Sequence, residues 1–202
     1  LTCSTVKAAR TLSLYSPKNI FFSIYDNNEN IIYKIGKDGE NIVPASIAKI
    51  YTLVYVLDIL KDYDKEKKVK AGNEIELNSK DASAVGLIKG KEYKINDLIS
   101  SAVIISAGDS VYTLTKIAYN LEKGIEINTD ILKNNSTKDE KSKVVSDISE
   151  HITKYLKEKI KLSDDTNITD PTGILNTSKT SYKDMYILMK YIYSNKDKMK
   201  EI

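Results

Sequence analysis

Apolar residues along this chain are grouped in runs whose spacing changes from segment to segment, and the spacing predicts the elements. Val6 to Leu14 reads as a short helix ended near Ser16-Pro17, since proline disfavours helix in the residue before it. Ile20 to Tyr25 and Ile31 to Ile35 read as strands, joined by the turn formers Asp26-Asn27-Asn28-Glu29-Asn30 into a hairpin. Gly36 to Glu40 is a loop leading to Pro44. Beyond it, Ile50-Tyr51-Thr52-Leu53-Val54-Tyr55-Val56-Leu57 is almost unbroken in its apolarity and predicts a buried helix.

Asp62 to Lys70 is charged and predicts an exit to the surface, and residues 71–93 read as loops, short helices and a small hairpin. Asn96-Asp97-Leu98-Ile99 opens a second helix with an acidic residue in its first turn, where the helix dipole favours it. It runs to Ile105 and stops at Ser106-Ala107-Gly108, after which Asp109 or Ser110 caps a third helix, Val111 to Leu121. The polar stretch 122–143 predicts a surface excursion. Val144 to Ile160 is amphipathic, with Val145, Ile148, Ile152, Tyr155, Leu156 and Ile160 on one side. Asp170-Pro171-Thr172-Gly173 is a turn, and Ser181 to Tyr193 returns to helix with Met185, Leu188, Met189 and Ile192 inward. No internal repeat is present.

Composition narrows the possibilities. The 202 residues suit one domain, with 41% hydrophobic and 29% charged residues, enough for a core and unlike a disordered chain. The net charge of +3 is small, lysines alternate with acids, and Arg10 is the one arginine. That pattern predicts solvated surfaces and argues against a nucleic-acid groove. Cys3 is the one cysteine and His151 the one histidine, so neither an intramolecular disulfide nor a Cys- or His-based metal site is expected, and no cofactor is implied. A Ser-His-Asp triad would have to use His151, which sits in a polar helical stretch and reads as a surface residue. No segment is long and apolar enough to span a membrane. The chain begins at Leu1, so an upstream export signal is expected to be absent from it. Leu1-Thr2-Cys3 resembles the end of a lipoprotein signal, but threonine before the cysteine fits poorly and Cys3 reads as a plain thiol.

The candidate chemistry lies in Pro44-Ala45-Ser46-Ile47-Ala48-Lys49. At the start of a helix, positions i and i+3 share a face, so Lys49 reaches back over Ser46. A nucleophilic serine needs a base, and a lysine buried against apolar residues can lose its proton and serve as one. The plain alternative is a helix start with a serine and a solvated lysine.

Other blocks follow in order. They are Gly90-Lys91-Glu92-Tyr93-Lys94-Ile95-Asn96-Asp97-Leu98-Ile99, Ile105-Ser106-Ala107-Gly108-Asp109-Ser110, Asn167-Ile168-Thr169-Asp170-Pro171-Thr172-Gly173-Ile174 and Thr180-Ser181-Tyr182-Lys183-Asp184-Met185. With Ser46-x-x-Lys49 they resemble the serine D-alanyl-D-alanine carboxypeptidases, low-molecular-weight penicillin-binding proteins that share a fold with serine β-lactamases; the resemblance covers about residues 20–193. It implies an α+β fold in which a helical lobe, about residues 60–165, is inserted into an α/β lobe built on an antiparallel sheet, within a single domain over 1–202. It further implies that Ser46 attacks the penultimate D-Ala carbonyl of a peptidoglycan stem peptide, that Lys49 takes its proton, and that Ser106 relays a proton to the departing D-Ala. The backbone N–H of Ser46 supplies one oxyanion donor. Gly108, Thr172 and Gly173 are the implied substrate-binding positions, and β-lactams are implied covalent ligands. Such a protein is exported and works at the cell surface, with any membrane anchor outside these residues.

Two departures set limits. The family pattern Ser-x-Asn has Gly108 at its third position, so the amide that holds the acyl-chain carbonyl is missing. The family's Lys-Thr/Ser-Gly strand is also absent: Lys179-Thr180-Ser181 differs from it and leads into a helix. The sheet would need a C-terminal segment or a second chain, because a lone hairpin exposes an open edge. A class A β-lactamase requires Glu-x-x-x-Asn after the second motif, whereas Glu140 is followed by Lys141-Ser142-Lys143-Val144. A further reading, from a different class, is a degenerate penicillin-binding scaffold serving as a β-lactam sensor or cell-wall interaction module.

Overall fold

The computed structural model describes residues 22–26, 28, 30–35 and 41–202. The expected helix at Val6–Leu14, the first residues of the first strand, the loop at 36–40, and Cys3 lie outside the described residues. The arrangement is α+β, with two small antiparallel sheets and five helices among the described residues.

Strands β1 (Phe22–Tyr25) and β2 (Ile31–Ile35) pair antiparallel in the register Phe22↔Ile35, Ser23↔Lys34 and Ile24↔Tyr33, with a bulge beside Tyr25. Asp26 shapes the turn: its Oδ1 accepts from the backbone N–H groups of Asn28 and Asn30. Tyr25 stacks on Tyr186 with ring centroids 3.9 Å apart, which ties the hairpin to the last helix. Phe22, Ile24, Ile31 and Ile32 remain exposed, and among the described residues no third strand covers them.

Helix α1 (Ala48–Ile59) is the axis of the molecule. Its run from Tyr51 to Leu57 is buried on every side, as expected of a helix without a polar face. It packs against α3 (Gly108–Glu122) and α4 (Lys138–Ile160), while α2 (Ile95–Ile104) lies against α3. Leu53, Leu57, Ile99, Leu114, Ile152 and Leu156 belong to one continuous core. Burial of each such side chain stabilises the fold by roughly 1.5–3 kcal/mol relative to exposure.

Two boundaries differ from the sequence reading. Inside the expected surface exit, Lys68–Lys70 forms strand β3 and pairs antiparallel with β4 (Glu92–Lys94). Only Val69 faces inward there, and one apolar residue between two lysines is too short an alternation to reveal a strand. Helix α4 starts at Lys138 rather than Val144. Its first turns are polar, but Thr137 and Glu140 form a reciprocal capping box that fixes the earlier start.

The chain from 162 to 181 closes the fold through backbone bridges. Ile42 and Thr180 exchange N–H···O bonds of 2.8 and 2.9 Å, and Asn167 pairs likewise with Lys179. Thr180 also places its hydroxyl 2.7 Å from that of Tyr51 in α1. Ser181 then caps α5 (Tyr182–Ser194), and Asp184 in its first turn accepts from the Ser163 N–H and the Thr166 hydroxyl. Lys179-Thr180-Ser181 is thereby committed to holding the segment before Ser46 in place.

Candidate active site

Ser46 sits in a 3-10 turn, Ala45–Ile47, that runs directly into α1. Ala45 has φ +47°, an uncommon conformation for a residue with a Cβ, and it swings Ser46 into an exposed position at the helix start. Lys49, one turn on, is buried with 8% exposure. Its Nζ lies 3.1 Å from Ser46 Oγ and donates to the Thr172 carbonyl at 2.8 Å. Burial holds the Lys49 ammonium below its ordinary pKa, and the nearby Asp170 carboxylate opposes that shift without cancelling it. A neutral lysine has one lone pair and two N–H bonds. The contact with Thr172 uses an N–H, so the lone pair is available to the Ser46 O–H.

The turn at 170–173 positions Lys49 from the opposite side. Asp170 is fully buried and accepts from the Tyr112 hydroxyl at 3.0 Å, the Thr172 N–H at 3.0 Å, the Thr172 hydroxyl at 2.8 Å and the Leu175 N–H at 3.1 Å. These bonds turn the Thr172 carbonyl toward Lys49. Burial, reinforced by Asp170, pushes the Tyr112 phenol well above its usual pKa, so Tyr112 acts as a hydrogen-bond donor at neutral pH. Gly173 has φ +73°, and a Cβ there would lie 1.8 Å from the Ala45 carbonyl oxygen. Glycine at 173 thus permits both the turn and its close approach to the Ser46 segment. Thr172 is 1% exposed with its hydroxyl on Asp170, so its contribution to Lys49 comes through its backbone.

Ser106 follows α2 in the left-handed region, with φ +60°. Ser46, Lys49 and Ser106 line one cavity of about 260 Å³, together with Ile50, Leu53 and Val103. Gly108 is buried at the start of α3 and donates its N–H to Ser83 at 2.8 Å. The neighbouring Asp109 binds the backbone N–H groups of Val85, Gly86 and Leu87, which fixes the loop before β4 against this helix start. Glu140 lies away from this cavity, with its carboxylate on the Thr137 N–H at 2.7 Å. His151 lies on α4 with Nε2 2.6 Å from the Glu122 carboxylate and its ring edge-on to Tyr55 and Tyr119. No cluster of potential metal ligands and no helix long and apolar enough to cross a membrane occurs among the described residues.

Sequence reasoning missed Asp170 and Tyr112. Asp170 was legible only as a turn residue, although an aspartate two positions before a threonine is the pattern of a side-chain-stabilised turn. Nothing in the sequence pointed to Tyr112, one of fourteen tyrosines.

No family model matches this sequence, and no curated protein matches it. Solved structures do. The D-alanyl-D-alanine carboxypeptidase DacD from Francisella tularensis superposes with a TM-score of 0.64 at 17% identity, over 93% of this chain and 41% of its own. The D-alanyl-D-alanine carboxypeptidase from Mycobacterium tuberculosis gives 0.61 at 14% identity, over 90% and 58%. Penicillin binding protein 5 from Haemophilus influenzae gives 0.59 at 22% identity, over 83% and 42%. The fold is therefore that of the penicillin-binding proteins and D-alanyl-D-alanine carboxypeptidases. The chain spans 41–58% of the length of these three structures.

Proposed function

We propose that this chain carries the acylation centre of an exported serine-type D-alanyl-D-alanine carboxypeptidase acting on peptidoglycan stem peptides. The observation that carries the reading is the buried Lys49 amine, 3.1 Å from Ser46 Oγ and anchored on Thr172. In this scheme neutral Lys49 removes the Ser46 proton as Oγ bonds to the penultimate D-Ala carbonyl carbon. The Ser46 N–H, in the first turn of the helical segment where amides have no intrahelical partner, donates to the oxyanion. Collapse of the tetrahedral adduct breaks the peptide C–N bond. Ser106 gives its proton to the departing D-Ala nitrogen and regains one from protonated Lys49, leaving the peptide esterified to Ser46 until water releases it. A β-lactam opens on Ser46 by the same steps.

Gly108 favours a second reading, a β-lactam sensor or cell-wall interaction module, because a glycine offers no side-chain contact to the acyl chain. A fluorescent penicillin followed by D-Ala release from a pentapeptide separates the two. The carboxypeptidase reading expects label on Ser46, loss of label in Ser46→Ala, and D-Ala release. Label without release supports the sensor. A folded, full-length protein that takes no label refutes the acylation centre itself.

A further inference from the structure

Helix α4 turns a lysine-bearing stripe toward the body of the protein. Lys138, Lys141, Ser142, Val145 and Ser146 recur at helical spacing on one face. Farther along the helix the same stripe carries Ser149, Ile152, Thr153 and Leu156, which are buried. Over its first turns the stripe therefore holds cations and hydroxyls where core residues would otherwise stand, and a cavity separates it from the body. That cavity measures about 700 Å³, within the range of small-molecule sites, roughly 300–1,000 Å³.

Opposite α4 lie the loop after the 3-10 turn Asn73–Leu77 and the turn that holds Lys49. Tyr112 and Asp170 belong to this wall, and Asp170 binds Thr172, whose carbonyl accepts from Lys49. The cavity shares no lining residue with the one that contains Ser46, Lys49 and Ser106. It is a second cavity built on the same turn.

Its chemistry suits a carboxylate beside an apolar group. Lys80, Lys138 and Lys141 face two acids, Glu76 and Asp170. Both acids are engaged already, Glu76 by Lys141 at 2.8 Å and Asp170 by the Tyr112 and Thr172 hydroxyls. Lys80 and Lys138 make no ion pair among the described residues, so two cationic heads are left for an anion. Ile174 and Leu175 line the cavity yet stay 41% and 48% exposed, which leaves apolar surface open as well. The Ser142 and Ser146 hydroxyls both give and accept hydrogen bonds, as a backbone amide requires. An inorganic anion would leave the apolar wall bare, and a neutral apolar ligand would leave the lysines unused. A carboxylate, an amide and an apolar side chain together make the end of a peptide.

We propose that this cavity is a second ligand site, which takes the carboxyl end of a short peptide on Lys80 and Lys138 with its apolar side chain against Ile174 and Leu175. It is distinct from the Ser46 centre and does not depend on the acylation function proposed above.

The test is isothermal titration calorimetry of the natural full-length protein with N-acetyl-alanyl-leucine as the free acid and as the C-terminal amide, with thermal midpoints measured in parallel. The acid is expected to bind one to one with Kd below about 1 mM, and the amide at least about tenfold more weakly, since it lacks the charge-assisted contact. Lys80→Ala/Lys138→Ala should weaken the acid about tenfold or more. Ser146→Trp fills the cavity from an exposed helix position and should abolish binding; should it not fold, Ser142→Trp takes its place. Val103→Trp narrows the Ser46 cavity instead and should leave Kd within twofold. The proposal is overturned if the acid does not bind saturably, if acid and amide bind alike, or if the folded tryptophan variant on α4 binds as wild type does. Loss of binding in folded Val103→Trp would place the peptide in the Ser46 cavity and overturn it equally. Failure of Ser46 to take a penicillin label would refute the acylation function and leave this site standing.

Discussion

Replacing Gly173 by alanine tests the contact on which the site geometry depends. The new Cβ would lie 1.8 Å from the Ala45 carbonyl oxygen, 2.6 Å from its carbon and 2.8 Å from Ala48 Cβ, and the first two neighbours are backbone that cannot rotate away. Relief requires the 170–173 turn and the Ser46 segment to separate by about 1 Å or more. Left-handed backbone costs alanine about 1–2 kcal/mol, and overpacking adds about 1–3 kcal/mol. The sum, roughly 2–5 kcal/mol, corresponds to a fall of about 4–20 °C in the thermal midpoint for a domain of this size. The same displacement pulls the Thr172 carbonyl from Lys49, so acylation of Ser46 should fall more than tenfold. Gly124→Ala is the control: its φ is +67°, but no heavy atom lies within 4 Å of the added Cβ, so it carries the conformational term alone. Thermal unfolding and fluorescent-penicillin labelling read both effects. Equal midpoints for the two variants, with normal labelling in Gly173→Ala, would show that this turn does not press on Ala45.

Lys49 is held below its ordinary pKa by burial while Asp170 pulls the other way, so acylation should rise with pH as Lys49 loses its proton. Asp170→Asn removes the charge that favours the ammonium and should move that rise to lower pH, at a cost of about 2–4 kcal/mol for the disturbed bonds to Tyr112, Thr172 and Leu175; an unshifted profile would argue against the coupling. Thr137→Ala breaks the capping box at the start of α4 and should lower stability by about 1 kcal/mol in a urea titration, with Ser46 labelling unchanged.

The parts of the fold legible in the sequence were those with long periodic patterns. The apolar run of α1, the apolar side of α4 and the helix beginning at Ser181 all appear where their spacing put them, although Met189, expected inward on the last of these, is exposed. Strand β3 was hidden because Val69 alone carries its inward face, and the start of α4 because a capping box lies in polar residues that a periodicity reading passes over. Within the candidate site, the contact between Ser46 and Lys49 was legible because its geometry is local to one helical turn. Asp170 and Tyr112 were not, since they pair with each other and reach Lys49 through Thr172 across long stretches of sequence. Gly108 shows the same limit in reverse: as a sequence departure it is a loss, whereas the fold sets the Asn78 side chain where a Cβ would stand.

Both serines of the cavity lie in or beside left-handed backbone, with φ +47° at Ala45 and +60° at Ser106 itself. Such a conformation costs a residue with a Cβ about 1–2 kcal/mol and persists only where the surroundings enforce it. At Ala45 a close neighbour is identifiable: the 170–173 turn approaches so near that a Cβ on Gly173 would lie 1.8 Å from the Ala45 carbonyl oxygen, which leaves this segment little room to relax. Ala45→Gly should therefore release strain. Stability is expected to rise by about 1 kcal/mol, less the extra chain entropy that glycine loses on folding, for a net midpoint change of zero to about +3 °C. The same freedom lets the turn sample geometries in which Ser46 Oγ no longer meets Lys49, so labelling should slow although the protein is no less stable. A variant that is destabilised by several degrees would show that the Ala45 methyl packs usefully. One that labels faster than wild type would show that the left-handed turn hinders the nucleophile instead of aiming it.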